Sequence, residues 1–153
     1  MGVKAFEIMN SDVATVNGDA SVKEVAELLA RKEVCGVVVE IDGELAGIIT
    51  EGDLVDRVKK VHLPTIVNIL DAIIPVAGER QYEEDLRKIA ACTASEIMTA
   101  DVITVDADAE LSDVATVLSE QHIAMVPVLR DGEVVGSVDK SDVIRGMLQS
   151  NEA

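Results

Sequence analysis

The chain has 153 residues, 48% of them hydrophobic, with 29 acidic against 13 basic side chains and a formal net charge of −16. That length suits one compact domain or two small ones packed together. So strong a negative charge repels phosphate backbones and anionic lipid, which argues against nucleic acid and membrane surfaces as partners.

The first residues, MGVKAFEIMNSD, lack the apolar run and cleavage site of a signal peptide. Residues 13–16 are rich in β-formers and predict a short strand. Ser21 and Glu24 have capping-box spacing, and Val22, Val25, Ala26 and Leu29 then share one helical face. The apolar runs VVVE and LAGII meet across Asp42-Gly43, a strong two-residue hairpin turn. A second helix starts near Gly52 and ends in the basic cluster Arg57, Lys59 and Lys60, which suits a helix C-terminus.

The stretch HLPTIVNILDAIIPVAG follows, apolar and punctuated by Pro64, Pro75 and Gly78. ERQYEEDLRKIAAC reads as an amphipathic helix with Tyr82, Leu86, Ile89 and Ala90 on one side. Together they are expected to form a helical connector, which either packs on the module or offers a subunit contact. The series then begins again. A strand is expected at 102–105 and a helix capped by Asp108, with Leu111, Val114, Ala115 and Leu118 inward. A hairpin follows across Asp131-Gly132, and a last helix starts near Ser141.

Sliding the chain by 89 residues aligns the two series without a gap, since 142 − 53 = 89, and 19 of the 50 positions from 6 to 55 are identical. EIMNSDVATV meets EIMTADVITV, and DGELAGIITEGD meets DGEVVGSVDKSD. The repeat is a β-α-β-β-α unit. The expected fold class is α/β: two such units packed sheet to sheet as one pseudo-twofold module. Residues 1–60 are the first unit, 61–94 the connector and 95–153 the second unit. Each unit alone has too little core, and two together have enough. The core must be aliphatic, because Phe6 and Tyr82 are the only aromatics.

Candidate chemistry gathers where the third strand ends. Thr50 stands at the strand's carboxyl end and Asp53 in the first turn of the helix beyond. Clefts beyond strand carboxyl ends favour ligands, helix starts favour phosphate, and a carboxylate there can hold ribose hydroxyls. The same T-x-x-D spacing also fits a plain helix cap. Cys35 and Cys92 read as buried, reduced thiols. With only His62 and His122 beside them, they show no metal-site spacing. His122 reads as a helix-end histidine. No nucleophile elbow, Gly-rich phosphate loop or metal cluster points to catalysis, so no catalytic or metal residue is expected and the chain reads as a non-enzyme. The absence of a signal and the isolated thiols place it in the cytoplasm.

The EIM lead-ins, the IAMVPVLRDGEVVG stretch and the G-h-h-T-x-x-D ending resemble cystathionine-β-synthase-type (CBS) domains, and the whole chain is similar to a tandem pair, a Bateman module. The resemblance implies a regulatory module whose clefts bind an adenosine derivative (AMP, ADP, ATP or S-adenosylmethionine), with no covalent cofactor. It implies a homodimer that acts on a separate, unidentified protein. It also implies composite clefts. Site one would join Thr50 and Asp53 with Met98, Ile103, Ile123, Ala124 and Met125. Site two would join Asp139 and Asp142 with Met9, Ala14, Val34, Cys35 and Gly36. Asp139 replaces the expected hydroxyl residue, so site two is expected to repel phosphate and site one to take the nucleotide. The alternative is a structural dimerisation module with empty clefts.

Overall fold

The computed structural model describes residues 2–32, 34–61, 66–69, 72–75 and 79–151. A short helix α1 (Ala5–Ile8) opens the chain. Then come β1 (Thr15–Asn17), α2 (Val22–Lys32), β2 (Gly36–Ile41), β3 (Glu44–Thr50) and α3 (Glu51–Val61). A two-stranded ribbon, β4 (Ile66–Ile69) and β5 (Ala72–Pro75), and the helix α4 (Glu79–Ala91) form the connector. The second copy supplies α5 (Ala94–Ile97), β6 (Val105–Asp106), α6 (Leu111–Glu120), β7 (Met125–Arg130), β8 (Glu133–Asp139) and α7 (Lys140–Asn151). The mixed α/β class and the twofold repetition are as the sequence predicts.

Each copy builds one three-stranded sheet, β1-β2-β3 or β6-β7-β8, with the first pair parallel and the second antiparallel. The hairpins turn at the expected dipeptides. Asp42 and Gly43 have φ of 54° and 78°, Asp131 and Gly132 of 53° and 81°, the left-handed pair that this tight turn requires. The hairpins carry matching irregularities, between Val39 and Glu40 and between Val128 and Leu129. The Ser21 cap is present: its Oγ accepts the Glu24 N–H at 3.1 Å.

Four expectations shift. The strands at 13–16 and 102–105 lie one to three residues later; in the first copy Ala14 is spent as a lead-in whose carbonyl accepts the Val38 N–H. The cap of α6 is Glu110, not Asp108, whose own N–H donates to Asp106 Oδ1 in a local turn. The connector is only half helical. Its β-branched run (Ile66, Val67, Ile73, Ile74) pairs as strands, and Pro75 could not sit inside a helix. The side chains of that ribbon, and with them the expected contact face of residues 64–78, lie outside the described residues. Cys35 and Cys92 are free thiols as expected, but half-exposed rather than buried. The α4 helix packs on α2 and α3 through the predicted face, with Ile89 against the core of the first sheet.

The two cores are built crosswise. Ala5 and Ile8 of α1, from the first copy, lie in the second copy's core with Val114, Leu118, Val126 and Val138. Ala94 and Ile97 of α5, from the second copy, lie in the first copy's core with Val25, Leu29, Val37 and Ile49. Backbone hydrogen bonds repeat the exchange. The Ala5 and Phe6 N–H groups donate to the carbonyls of Ala109 and Ala107. Ala94 and Ser95 donate to those of Ala20 and Gly18. Beyond each lead-in the chain bridges the other copy's hairpin, Thr99 to Ile48 and Asn10 to Ser137. The glycines of the repeated ending make room for this. A Cβ at Gly47 would come within 2.7 Å of Met98 Cγ, and one at Gly136 within 2.7 Å of Met9 Cγ.

Crossed packing has a measurable consequence. Ile8→Ala should cost about 2–5 kcal/mol, since the side chain is buried. In hydrogen exchange the first amides to lose protection should be those of α6 and β8, not those of β2 and β3 near it in sequence. Loss confined to the first sheet would contradict the exchange of lead-ins.

Candidate functional site

Two clefts open along the seam between the copies. Site one, a cavity of about 330 Å³, starts where β3 hands over to α3. Thr50 is the N-cap of α3. Its Oγ1 accepts the Asp53 N–H at 3.3 Å, and Asp53 Oδ2 accepts the Thr50 N–H at 2.9 Å. The capping reading of T-x-x-D is therefore met in full. It does not exhaust the groups: Asp53 Oδ1 has no hydrogen-bond partner among the described residues, and the Thr50 hydroxyl keeps its own proton to donate. The opposite wall comes from the second copy, with Val102 and Ile103 after the lead-in and His122 to Met125 between α6 and β7.

Site two, about 440 Å³, is the same construction with the copies exchanged. Asp139 caps α7. Its Oδ1 accepts the Asp142 N–H at 2.9 Å and the Ser141 hydroxyl at 2.7 Å. Asp142 Oδ2 accepts the Asp139 N–H at 2.9 Å, and Oδ1 is paired with the Arg145 guanidinium. An aspartate caps as well as a threonine does, so the changed residue keeps the helix start and alters only the charge. Asp142 is 4% exposed, and burial with the Asp139 charge raises its carboxyl above the ordinary range. For Asp139 burial acts upward too, but the Ser141 and Asp142 hydrogen bonds and the Arg145 charge outweigh it and lower the carboxyl.

Most of the predicted residues converge. Thr50, Asp53, Ile103, Ile123, Ala124 and Met125 line site one. Asp139, Asp142, Met9, Val34 and Cys35 line site two. Three do not line their clefts. Met98 lies on Gly47 against the first core, and Ala14 is inside that core. Gly36 is buried at the head of β2, facing Ile49 O and Met125 Cε. Met125 borders both clefts. His122 ends α6 in a left-handed turn, φ 54°, as a helix-end residue, and it also lines site one.

The sequence reading missed the residue one helical turn past each aspartate. Arg145 lines site two, and its counterpart under the 89-residue shift, Asp56, lines site one with Asp101. The signal was the i, i+3 spacing from Asp142 and Asp53, which puts both on the cleft-facing side of their helices. Among the described residues no Lys or Arg lines site one.

Known proteins place this architecture. The CBS domain family matches residues 5–60 and again 94–149. An uncharacterized protein of Methanocaldococcus jannaschii is 26% identical over 151 residues, covering 93% of this chain and 89% of its own length. A second protein of that organism is 32% identical over 93% of this chain, which spans only 31% of that protein's length. The crystal structure of the CBS-pair protein CBSX2 from Arabidopsis thaliana superposes with a TM-score of 0.74 at 23% identity, covering 100% of this chain and 99% of its own. A structure of CBSX2 in complex with AMP gives 0.71 at 23% identity, covering 97% and 98%.

Cys35 reports on site two. Burial, then the Asp139 and Glu51 charges, pushes its thiol up from 9.0 to about 11. At pH 8 the thiolate population should be about a hundredfold below that of an ordinary thiol, from a rise of 11 − 9 = 2. Iodoacetamide should therefore modify Cys35 slowly, and Asp139→Asn should speed it. A wild-type rate equal to that of a free peptide thiol would contradict this.

Proposed function

Because the chain belongs to the CBS domain family and carries the domain twice, we propose that it is a regulatory module that binds an adenosine derivative in the clefts between the copies and acts on a separate protein. The observation that carries the reading is the composite cleft. A capped helix start with a ribose-competent carboxylate faces aliphatic side chains from the opposite copy. Asp53 Oδ1 would accept from the ribose, Thr50 would donate, and the purine would lie among Val102, Ile103 and Ile123. The AMP seen with CBSX2 belongs to that protein and supports the ligand class only by likeness of fold. AMP, ADP, ATP and S-adenosylmethionine all satisfy this chemistry.

The reading is of a non-catalytic protein. The cysteine in a cleft has its thiol raised, the opposite of an activated nucleophile. Two free thiols fit a reducing compartment such as the cytoplasm. No helix among the described residues is long and apolar enough to cross a membrane. A second reading, a structural dimerisation module with empty clefts, is favoured by one observation: the carboxylates Asp139 and Asp142 of site two are already satisfied by Ser141, Arg145 and each other.

The second copy of this chain is the proposed partner for the last helix of each unit. Val55 and Val58 on α3, and Ile144, Met147 and Leu148 on α7, are exposed apolar side chains at helical spacing. The internal duplication repeats the stripe, so the face is self-complementary under a twofold.

Titration with adenosine and AMP tests the ligand. Asp53→Ala should weaken adenosine binding by about 1.5–3 kcal/mol at site one. Loss of the cap should lower Tm by only a few degrees, for about 1 kcal/mol of stability. Unchanged affinity would mean that site one does not hold the ribose. For the assembly, light scattering should give a dimer that Ile144→Asp with Met147→Asp converts to the 16.3 kDa monomer. A wild-type monomer at micromolar concentration would refute it.

A further inference from the structure

We propose that the two clefts sort adenosine derivatives by charge, with Arg145 directing a phosphate-bearing one to site two, and Asp56 at the equivalent helical turn reserving site one for an uncharged or cationic one. The inference rests on the adenosine reading above. It reverses the allocation that Thr50 and Asp139 suggested from the sequence.

Asp139 alone would repel phosphate, but in place it is not alone. Its Oδ1 already receives two donors, and Asp142 is engaged through both oxygens. Arg145 sits at the cleft with its side chain 62% exposed, and only one of its nitrogens is committed to Asp142. A guanidinium carries five N–H donors in a planar fork suited to phosphate oxygens, so several remain to offer. The remaining carboxylate lining site two, Glu7, is exposed to solvent on α1.

Three carboxylates line each cleft, and among the described residues only site two sets a guanidinium against them. The residue equivalent to Arg145 is Asp56, since 145 − 89 = 56, and Asp53 and Asp101 join it in a cavity that Thr50, Thr99, His122 and aliphatic side chains complete. A phosphate about 4 Å from one carboxylate would lose about a thousandfold in affinity at an effective dielectric near 20. Solvent access to the exposed Asp56 and Asp101 trims that to about ten- to a hundredfold. Adenosine meets no such penalty, and a sulfonium or ammonium on the ligand gains from the same field.

Methyl spectra separate the sites, with Met9 reporting site two and Ile103 and Ile123 reporting site one. In metal-free buffer AMP should move Met9 at concentrations that leave Ile103 and Ile123 still, and adenosine should move the two isoleucines. Arg145→Gln should weaken AMP at Met9 by about ten- to a hundredfold. Asp56→Arg, at an exposed position that the fold does not need, should raise AMP stoichiometry from one to two per chain. The sorting is overturned if AMP moves all three methyls with similar affinity, if Arg145→Gln changes AMP affinity less than twofold, or if Asp56→Arg adds no AMP. Silence of all three methyls to both compounds overturns the adenosine reading itself and the sorting with it, whereas adenosine binding with unsorted AMP overturns the sorting alone.

Discussion

The lead-in helices α1 and α5 are four residues each, too short to persist by themselves in water. They exist because each puts an alanine and an isoleucine into the core of the other copy, where Ala5 and Ala94 are wholly buried. A unit of about fifty residues is marginal alone, since its surface is large for its volume. The exchange makes each core incomplete without the other copy. It also determines where ligand space is found. The chain that leaves α5 must pass beside β3, and the chain that leaves α1 beside β8, so the seam runs past both helix starts.

Helix capping ties stability to recognition at that seam. The start of α3 needs an acceptor at position 50 and an acceptor one turn on, and the start of α7 needs the same at 139 and 142. Thr, Ser, Asp and Asn all satisfy this, so the fold tolerates a change in charge at the cap. The residue one turn further is free of capping duty altogether. The copies differ there by a whole sign, Asp56 against Arg145, at no cost to either helix. Local structure is held constant while the field inside the cleft varies, and this is how two sites of one architecture can differ in ligand.

What the sequence showed plainly was what neighbouring residues decide among themselves. The Asp-Gly turns, the Ser21 cap and the amphipathic run of α4 depend on contacts within a few positions, and they appear where expected. The duplication gave the pairing of copies, and the family likeness gave just under half of the residues lining each cleft. Misjudged features depend on distant partners. Asp108 and Glu110 compete for one cap, and the bridge between Lys4 and Glu110 fixes which of them starts the helix. Met98 looked like a cleft residue because of its place in the lead-in, but Gly47 leaves a hollow that its side chain fills. Arg145 and Asp56 went unremarked because helical periodicity tells which residues share a face, not what that face looks upon.

The duplication could not have stayed symmetric. Under the 89-residue shift Met125 corresponds to Gly36, and the two meet across the seam. A Cβ at position 36 would already lie 3.1 Å from Met125 Cε and 3.1 Å from the Ile49 carbonyl oxygen. Two methionines would collide, and two glycines would leave a void between the clefts with no side chain to line it. One large and one small residue is the packing that closes the seam. Met125 is thereby the wall that both clefts share, while Cys35 approaches the carbonyl oxygen of its own counterpart, Ala124, at 3.8 Å and Asp139 Oδ2 at 4.0 Å. Once that pair has broken the twofold, the cavities differ in shape before any charge is placed in them. Divergence at 50 and 139, and at 56 and 145, then acts on sites that packing has already made unequal.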